Sequence, residues 1–394
     1  MTILAKVRLV VMRLILYPLL YLLGIFVKVD PKLVIFSSFN GKAYSDNPKY
    51  IFEYMKDDVN YANYHYIWGV KHTQDISGAK TVKFNSLTYY YYLSKAKYWV
   101  FNAKMAPYYY KKKSQVYLQT WHGTPLKRLA HDIVDNGATY YRSKQSYKQM
   151  LKSYDADSQH WDYLIASSPF SCQAFSTAFA FPKDKMLKVG YPRVDYLVNA
   201  DQAKIIDLKI KYHLPLDKKV ILYAPTWRDQ SFDNHGYKFE LDVDFYQWQS
   251  ALADDTIVLF KPHYLISNQY QCPEELRNFV YLMTATEDIN DAYLMSDVLV
   301  TDYSSVFFDY AVLKRPIYFY MYDFDYYEQE LRGFYLDLQA NLPNDIVKTE
   351  QALLAQLKTN EFDFERLSAF NQKFNPWHDG LSCAKTVKEV FNES

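Results

Sequence analysis

Apolar positions along the chain fall into two kinds of pattern. One is a single long tract, Leu9 to Val27 (LVVMRLILYPLLYLLGIFV), and the other is a series of short β-type runs separated by polar or amphipathic segments. The series begins with LVIFSSF (33–39), YHYIWGV (64–70), KYWVFNAK (97–104), VYLQTWHG (116–123) and YLIASS (163–168). A polar stretch from Asn199 to Lys219, with a helical pattern from Asp201 to Tyr212, leads into a second set: KVILYAPTW (219–227), TIVLFKPH (256–263), FVYLM (279–283), VLVTDYSS (298–305) and PIYFY (316–320). Apolar runs alternating with helical segments predict βαβ units and mostly parallel sheets. The fold class is therefore α/β: two doubly wound, Rossmann-like domains facing a cleft, over 30–196 and 197–378. An apolar helix over 1–29 precedes them and a closing helix (Ser382 to Phe391) lies within 379–394. Open sheets of this kind bind ligands beyond the carboxyl ends of their strands, so the chemistry is expected there.

The long tract has the length of a bilayer span but carries Arg13, Pro18 and Gly24. Lys6 and Arg8 precede it, Lys28 and Lys32 follow, and no small-residue cleavage site appears, so the tract reads as retained. Basic residues at both ends suit a helix lying in the headgroup layer. That in-plane anchor, a true span and a helix buried against the protein are the three readings, with a soluble body on one side of the membrane.

Charge and composition remove several classes. Forty-five Lys and Arg against 44 Asp and Glu leave no overall basic excess for nucleic acid. The three cysteines, Cys172, Cys272 and Cys383, are far apart, which disfavours a disulfide framework or a Cys-rich zinc site. Neither GxGxxG nor GxxxxGK[ST] occurs, so phosphate must be held without a glycine-rich loop. The 40 Tyr and 25 Phe fit interfacial or sugar contacts, and equally plain core packing.

Candidate chemistry sits where the apolar runs end. His122, in His122-Gly123-Thr124-Pro125-Leu126-Lys127, follows VYLQTW at a strand-to-helix turn; it reads either as a general base for a substrate hydroxyl or as a structural histidine bonding the loop. Lys261-Pro262-His263 ends TIVLF and places a cation beside an imidazole, a plausible pair for phosphate. In VLVTDYSSVFFDYAVLKRP the residues Thr301, Asp302, Ser304 and Ser305 precede a helix running to about Lys314. A helix start carrying hydroxyls favours an anion, while Ser304 alone would also serve as an ordinary cap. Arg193 (GYPR) and Arg228 (APTWR) each follow a β-type run and suit a diphosphate. Asp323-Phe324-Asp325 has DxD spacing, but it lies in an acidic, aromatic stretch and no metal is expected there.

Taken in order across 121–317, WHGTPLK, GYPR, YAPTWR, KPH and TDYSSVFFDYAVLKRPI resemble the CDP-glycerol glycerophosphotransferase family of teichoic acid primases and polymerases. FSSFNGKAYSDNPKYIFEYM (36–55) and YDFDYYEQELRGFY (322–335) extend the likeness over most of the chain. The resemblance implies a GT-B-type fold, peripheral attachment to the cytoplasmic face of the cell membrane, and transfer of an alditol phosphate from a CDP donor to an acceptor linked to undecaprenyl diphosphate, with release of CMP. It implies no cofactor and no obligatory metal.

Carried over, it makes His122 and His263 the catalytic histidines, with His122 taken as the base and the opposite assignment open. Lys261 and Pro262 would flank the diphosphate, Thr301, Ser304 and Ser305 would hold it, and Asp309 would accept a donor hydroxyl. Arg193, Thr226, Trp227 and Arg228 would line the donor site, and Trp121, Gly123, Thr124 and Pro125 the pocket around the base. Asn40, Lys42, Tyr44 and Asp46 are candidates for acceptor contacts. The size suggests a primase-like enzyme using CDP-glycerol. A poly(glycerol phosphate) polymerase or a CDP-ribitol enzyme is the alternative, followed by a nucleotide-sugar glycosyltransferase or a non-catalytic membrane scaffold. A homo-oligomer or a wall-polymer synthesis complex is the expected setting for partners other than substrate and membrane.

Overall fold

In a computed structural model the described residues are 14, 16–72, 74–106, 108–135, 146–226, 232–233, 236–237, 241–262, 270–284, 286–324 and 333–391. The first half is one parallel sheet: β1 (Asp30–Ser37), β2 (His65–Val70), β3 (Lys80–Lys83), β4 (Ala96–Phe101), β5 (Val116–Gln119), β6 (Tyr163–Ala166) and β7 (Met186–Lys188), in the order β3-β2-β1-β4-β5-β6-β7. The second half is another, built from β8 (Lys219–Ala224), β11 (Thr256–Phe260), β12 (Val280–Leu282), β13 (Val298–Thr301), β14 (Ile317–Tyr320) and β15 (Ile346–Val347), in the order β12-β11-β8-β13-β14-β15. A short antiparallel hairpin, β9 (Phe232–Asp233) and β10 (Gly236–Tyr237), stands apart.

These strands are nearly continuous apolar runs because helices cover both faces of each sheet, so every side chain on a central strand must be buried. β11 is buried at all five positions and β13 at all four. In chain order the helices are α1 (Tyr17–Phe26), α2 (Asp46–Asp57), α3 (Leu87–Lys95), α4 (Tyr147–Ser158), α5 (Pro169–Ala178), α6 (Pro192–Val198), α7 (Gln202–Lys211), α8 (Phe245–Leu252), α9 (Ile289–Met295), α10 (Val306–Tyr310), α11 (Leu338–Asn341), α12 (Glu350–Thr359), α13 (Phe364–Phe374) and α14 (Ser382–Phe391). Their starts follow ordinary capping chemistry: Ser168 accepts from the Ser171 amide while Pro169 opens α5. Much of the aromatic content is core, as in the Phe36, Phe52, Tyr66 and Trp68 cluster.

Each sheet reverses strand order once, between β1 and β4 and between β8 and β13, and such switch points open a crevice at the strand ends. The halves are joined at several places. α14 returns to the first half, packing Val387, Val390 and Phe391 into its core. Leu126, from the first half, belongs to the second-half core, and Lys127 bridges to Phe334. Lys49 and Tyr50 both reach Asp288, at 2.8 and 2.9 Å. The boundary read at 196/197 falls inside α6, which spans the junction as one helix.

The N-terminal tract is represented by α1, and residues 1–13 lie outside the described part. α1 sets Leu20 and Gly24 against the first half, with Tyr17 stacked on Tyr108 at 4.6 Å and Tyr21 edge-on to Tyr110 at 4.9 Å. Leu19, Leu22, Ile25 and Phe26 are exposed on its other side. Among the described residues no helix is long and apolar enough to cross a membrane.

Candidate active site

His122 follows β5, beside the first-half switch point. Its Nδ1 lies 2.7 Å from the backbone carbonyl of Asn102, just past the end of β4. A carbonyl only accepts, so the proton sits on Nδ1 and the Nε2 lone pair is left as a base. The ring stacks on Trp121 (centroids 4.5 Å apart, planes at 25°) and meets the edge of Phe39. Its outer side is open to solvent, yet crowding protein atoms disfavour the charged form and lower the imidazole pKa. The Asn102 carbonyl and Asp46 oppose that shift and Arg193 adds to it.

The loop carrying this histidine is strained and heavily tied. Trp121 has φ +52°, a region L-residues seldom occupy. The Trp121 amide donates to Gln119 Oε1 at 3.0 Å, Asn47 Nδ2 donates to the Thr120 and Trp121 carbonyls, and the Tyr191 hydroxyl donates to the Gly123 carbonyl at 2.8 Å. Gly123 is needed for close approach: a Cβ there would lie 2.9 Å from Ser305 Oγ. Ser305, from the second half, therefore stands directly against the His122 turn. Thr124 (Oγ1 3.3 Å from Ser167 Oγ) and Pro125 are buried within the loop.

On the other side of the cleft, Ser305 begins α10 without its side chain bonding a helix amide, and Ser304 is half-buried beside it. The cap is thus Ser305, not Ser304. Thr301 does not join them: it is 1% exposed and donates to the Ala224 carbonyl at 2.7 Å, holding β13 to β8. Asp302 accepts from the Thr226 amide and, at 2.5 Å, from its hydroxyl, which shapes the turn after β8. Lys261 ends β11 and donates to the Glu287 carbonyl at 2.9 Å and to the Thr284 carbonyl. Burial lowers its pKa to about 8, with Glu287 and Asp288 opposing. Pro262 is buried next to it. His263, Trp227 and Arg228 lie outside the described residues, as does Asp325, while Asp323 accepts from the Tyr303 hydroxyl.

Two expectations meet a different arrangement. Arg193 is 5% exposed and its guanidinium is committed to two carboxylates: Nε and Nη2 to Asp309 at 2.7 and 3.1 Å, and Nη1 to Asp46 at 2.8 Å. Burial opposes its charge, yet Asp309 and Asp46 keep it protonated. Arg193 and Asp309 are thus engaged with each other in this structure. Among the acceptor candidates, Asp46 is buried on Arg193 and Tyr44 donates to Glu53, while Asn40 and Lys42 stand exposed at the rim. The residues missed were Asn47, Asn102, Gln119 and Tyr191. Their one visible signal was a polar side chain next to or closing an apolar run, as in VFNAK and VYLQ.

Comparison with known proteins supplies the rest. The model of CDP-glycerol:poly(glycerophosphate) glycerophosphotransferase matches residues 19–392. A teichoic acid poly(glycerol phosphate) polymerase of Staphylococcus epidermidis is 42% identical over 358 residues, 88% of this chain but 48% of the relative, so the chain spans about half of that protein's length. A teichoic acid glycerol-phosphate transferase of Staphylococcus aureus is 40% identical over 374 residues, 92% of this chain and 93% of the relative. Among solved structures, wall teichoic acid polymerase TagF, as a histidine-to-asparagine variant soaked with CDPG, superposes with a TM-score of 0.87 at 39% identity, over 95% of this chain and 92% of that one. This chain belongs to the CDP-glycerol:poly(glycerophosphate) glycerophosphotransferase family.

Proposed function

We propose that the protein transfers glycerol phosphate from CDP-glycerol onto a teichoic acid acceptor already carrying glycerol phosphate, releasing CMP. The carrying observation is His122, its proton fixed on Nδ1 and its Nε2 open, at a turn pressed against the Ser305 helix start. The acceptor hydroxyl gives its proton to Nε2 as its oxygen forms a bond to the phosphorus bearing glycerol. The bond from that phosphorus to the CMP oxygen breaks, and CMP leaves with the electron pair. Position and charge stabilisation supply most of the rate in such transfers. Ser304, Ser305 and the α10 amides would face the donor phosphates, and Lys261 would lend charge. His263, Trp227 and Arg228 would complete the donor side.

The relatives at 40–42% identity are a poly(glycerol phosphate) polymerase and a glycerol-phosphate transferase, which favours glycerol over ribitol and elongation over the primase-like role read from size. The exposed apolar side of α1 supports seating on a membrane surface, which the proposed use of CDP-glycerol would place at the cytoplasmic face. The test is CMP release by detergent-supported protein given CDP-glycerol or CDP-ribitol with unprimed or glycerol-phosphate-primed lipid. Activity with CDP-glycerol on the primed lipid is expected. A single addition to the unprimed lipid would restore the primase reading, and CMP from CDP-ribitol alone would replace the donor.

A further inference from the structure

Resting on that reaction, the geometry points to Arg193 as a positioning residue, held by Asp46 and Asp309, that fixes the His122 base of the first half against the donor helix of the second. The contacts form a closed circuit. His122 Nδ1–H donates to the Asn102 carbonyl, and the Asn102 side-chain amide donates to Asp46 Oδ2 at 2.5 Å. Asp46 Oδ1 accepts from Arg193, and Arg193 grips both oxygens of Asp309. Asp309 lies on α10, whose cap residue Ser305 packs beside Gly123, next to His122, so the last link is packing and not a hydrogen bond. A second strand of contacts runs in parallel: the guanidinium lies 4.4 Å from the ring centre of Tyr191, whose hydroxyl donates to the Gly123 carbonyl, and the Arg193 amide donates to Asn47, which holds the Thr120 and Trp121 carbonyls.

Three features separate this from a phosphate contact. Arg193, Asp46 and Asp309 are each less than a tenth exposed. Two carboxylates already engage Nε, Nη1 and Nη2 of the guanidinium, while burial raises the pKa of the Asp309 carboxyl. Asp46 holds φ +60°, a backbone position kept by the contacts its side chain makes. The bidentate grip on Asp309 uses the planar guanidinium fork, which an ammonium cannot reproduce.

Among the described residues, Asp46 and Arg193 are the charged groups acting on His122, from the starts of α2 and α6, and Phe39 and Trp121 are the uncharged rings against it. Removing the Asp46 charge while keeping its shape destabilises the imidazolium, so the His122 pKa falls. The experiment follows the His122 ring by NMR titration in histidine-labelled full-length protein, assigned with H122A, alongside steady-state CMP release. D46N is expected to lower the His122 midpoint, and the acid limb of kcat/KM with it, by about half a pH unit or more. R193K is expected to lower kcat about 10- to 100-fold with KM for CDP-glycerol within about threefold, the pattern of misplacement and not of lost binding. A rise in KM with kcat retained, or unaltered kcat and midpoint in folded D46N and R193K, would overturn the inference. If R193K does not fold, the isosteric D46N decides alone. If the wild type releases no CMP, the reaction is misread, and an unmoved His122 midpoint in D46N still overturns the wiring.

Discussion

The two lips of the cleft are built on opposite plans. On the first-half side, the His122 turn has its backbone carbonyls held by Asn47 and Tyr191, an amide held by Gln119 and its ring fixed by Asn102. On the second-half side, the Ser305 side chain makes no cap bond to α10, and Lys261 is held by the carbonyls of Thr284 and Glu287. A base must meet a hydroxyl within a few tenths of an ångström, so its orientation is settled before substrate arrives. A polyanion is recognised by the sum of charge and N–H dipoles, so the proposed donor side would tolerate looser side chains.

The sharpest way to break this comparison is His122→Ala. It is expected to cut kcat about 10²–10⁴-fold while leaving thermal unfolding and CDP-glycerol binding near wild type, as read by CMP release and calorimetry. Loss of donor binding as well would show that the two lips are not separate. Ser305→Ala comes next, with an expected loss of about tenfold in kcat/KM carried by KM for the donor. Gly123→Ala forces the Ser305 hydroxyl aside, so it should copy Ser305→Ala, and the double variant should be little worse than either.

The pH profile gives a smaller, signed effect. As the proposed base His122 would work deprotonated, and burial lowers its pKa, so the acid limb should lie below about pH 6.5, the ordinary imidazole value. If Lys261 lends charge to the donor as proposed, it does so protonated with a pKa of about 8, so KM for the donor should rise a few-fold as pH passes that point, and Lys261→Arg should erase the rise. An alkaline arm unchanged in Lys261→Arg would remove Lys261 from the donor site. The smallest effect on the purified reaction belongs to α1. Leu22→Glu with Phe26→Glu should reduce flotation with anionic vesicles while leaving CMP release in detergent within about twofold.

The parallel sheets were legible because buried strands must be apolar throughout, and each of the short β-type runs became a strand. β3, the edge strand KTVK, and the two-residue β15 carry no such run and were not seen. The turn at His122 and the serines at Ser304 and Ser305 were visible as polar residues closing apolar runs. What sequence order hides is partnership. Arg193 stands 147 positions from Asp46 and 116 from Asp309, so the motif GYPR advertised a free guanidinium that the fold had already spent. Thr301 misled for a different reason: its hydroxyl turns into the sheet, and one residue of register decides between ligand and neighbour strand.

The last helix also bears on how the protein is made. Tyr64 donates to the carbonyl of Phe391, 327 residues later, and Phe391 packs on Tyr98 in the core of the first sheet. During synthesis the leading half therefore emerges with one flank of its core uncovered and stays so until α14 leaves the ribosome, where many two-domain proteins finish one half before the other. The flank beside Tyr64 and Tyr98 is therefore the surface that a folding intermediate still lacking α14 exposes.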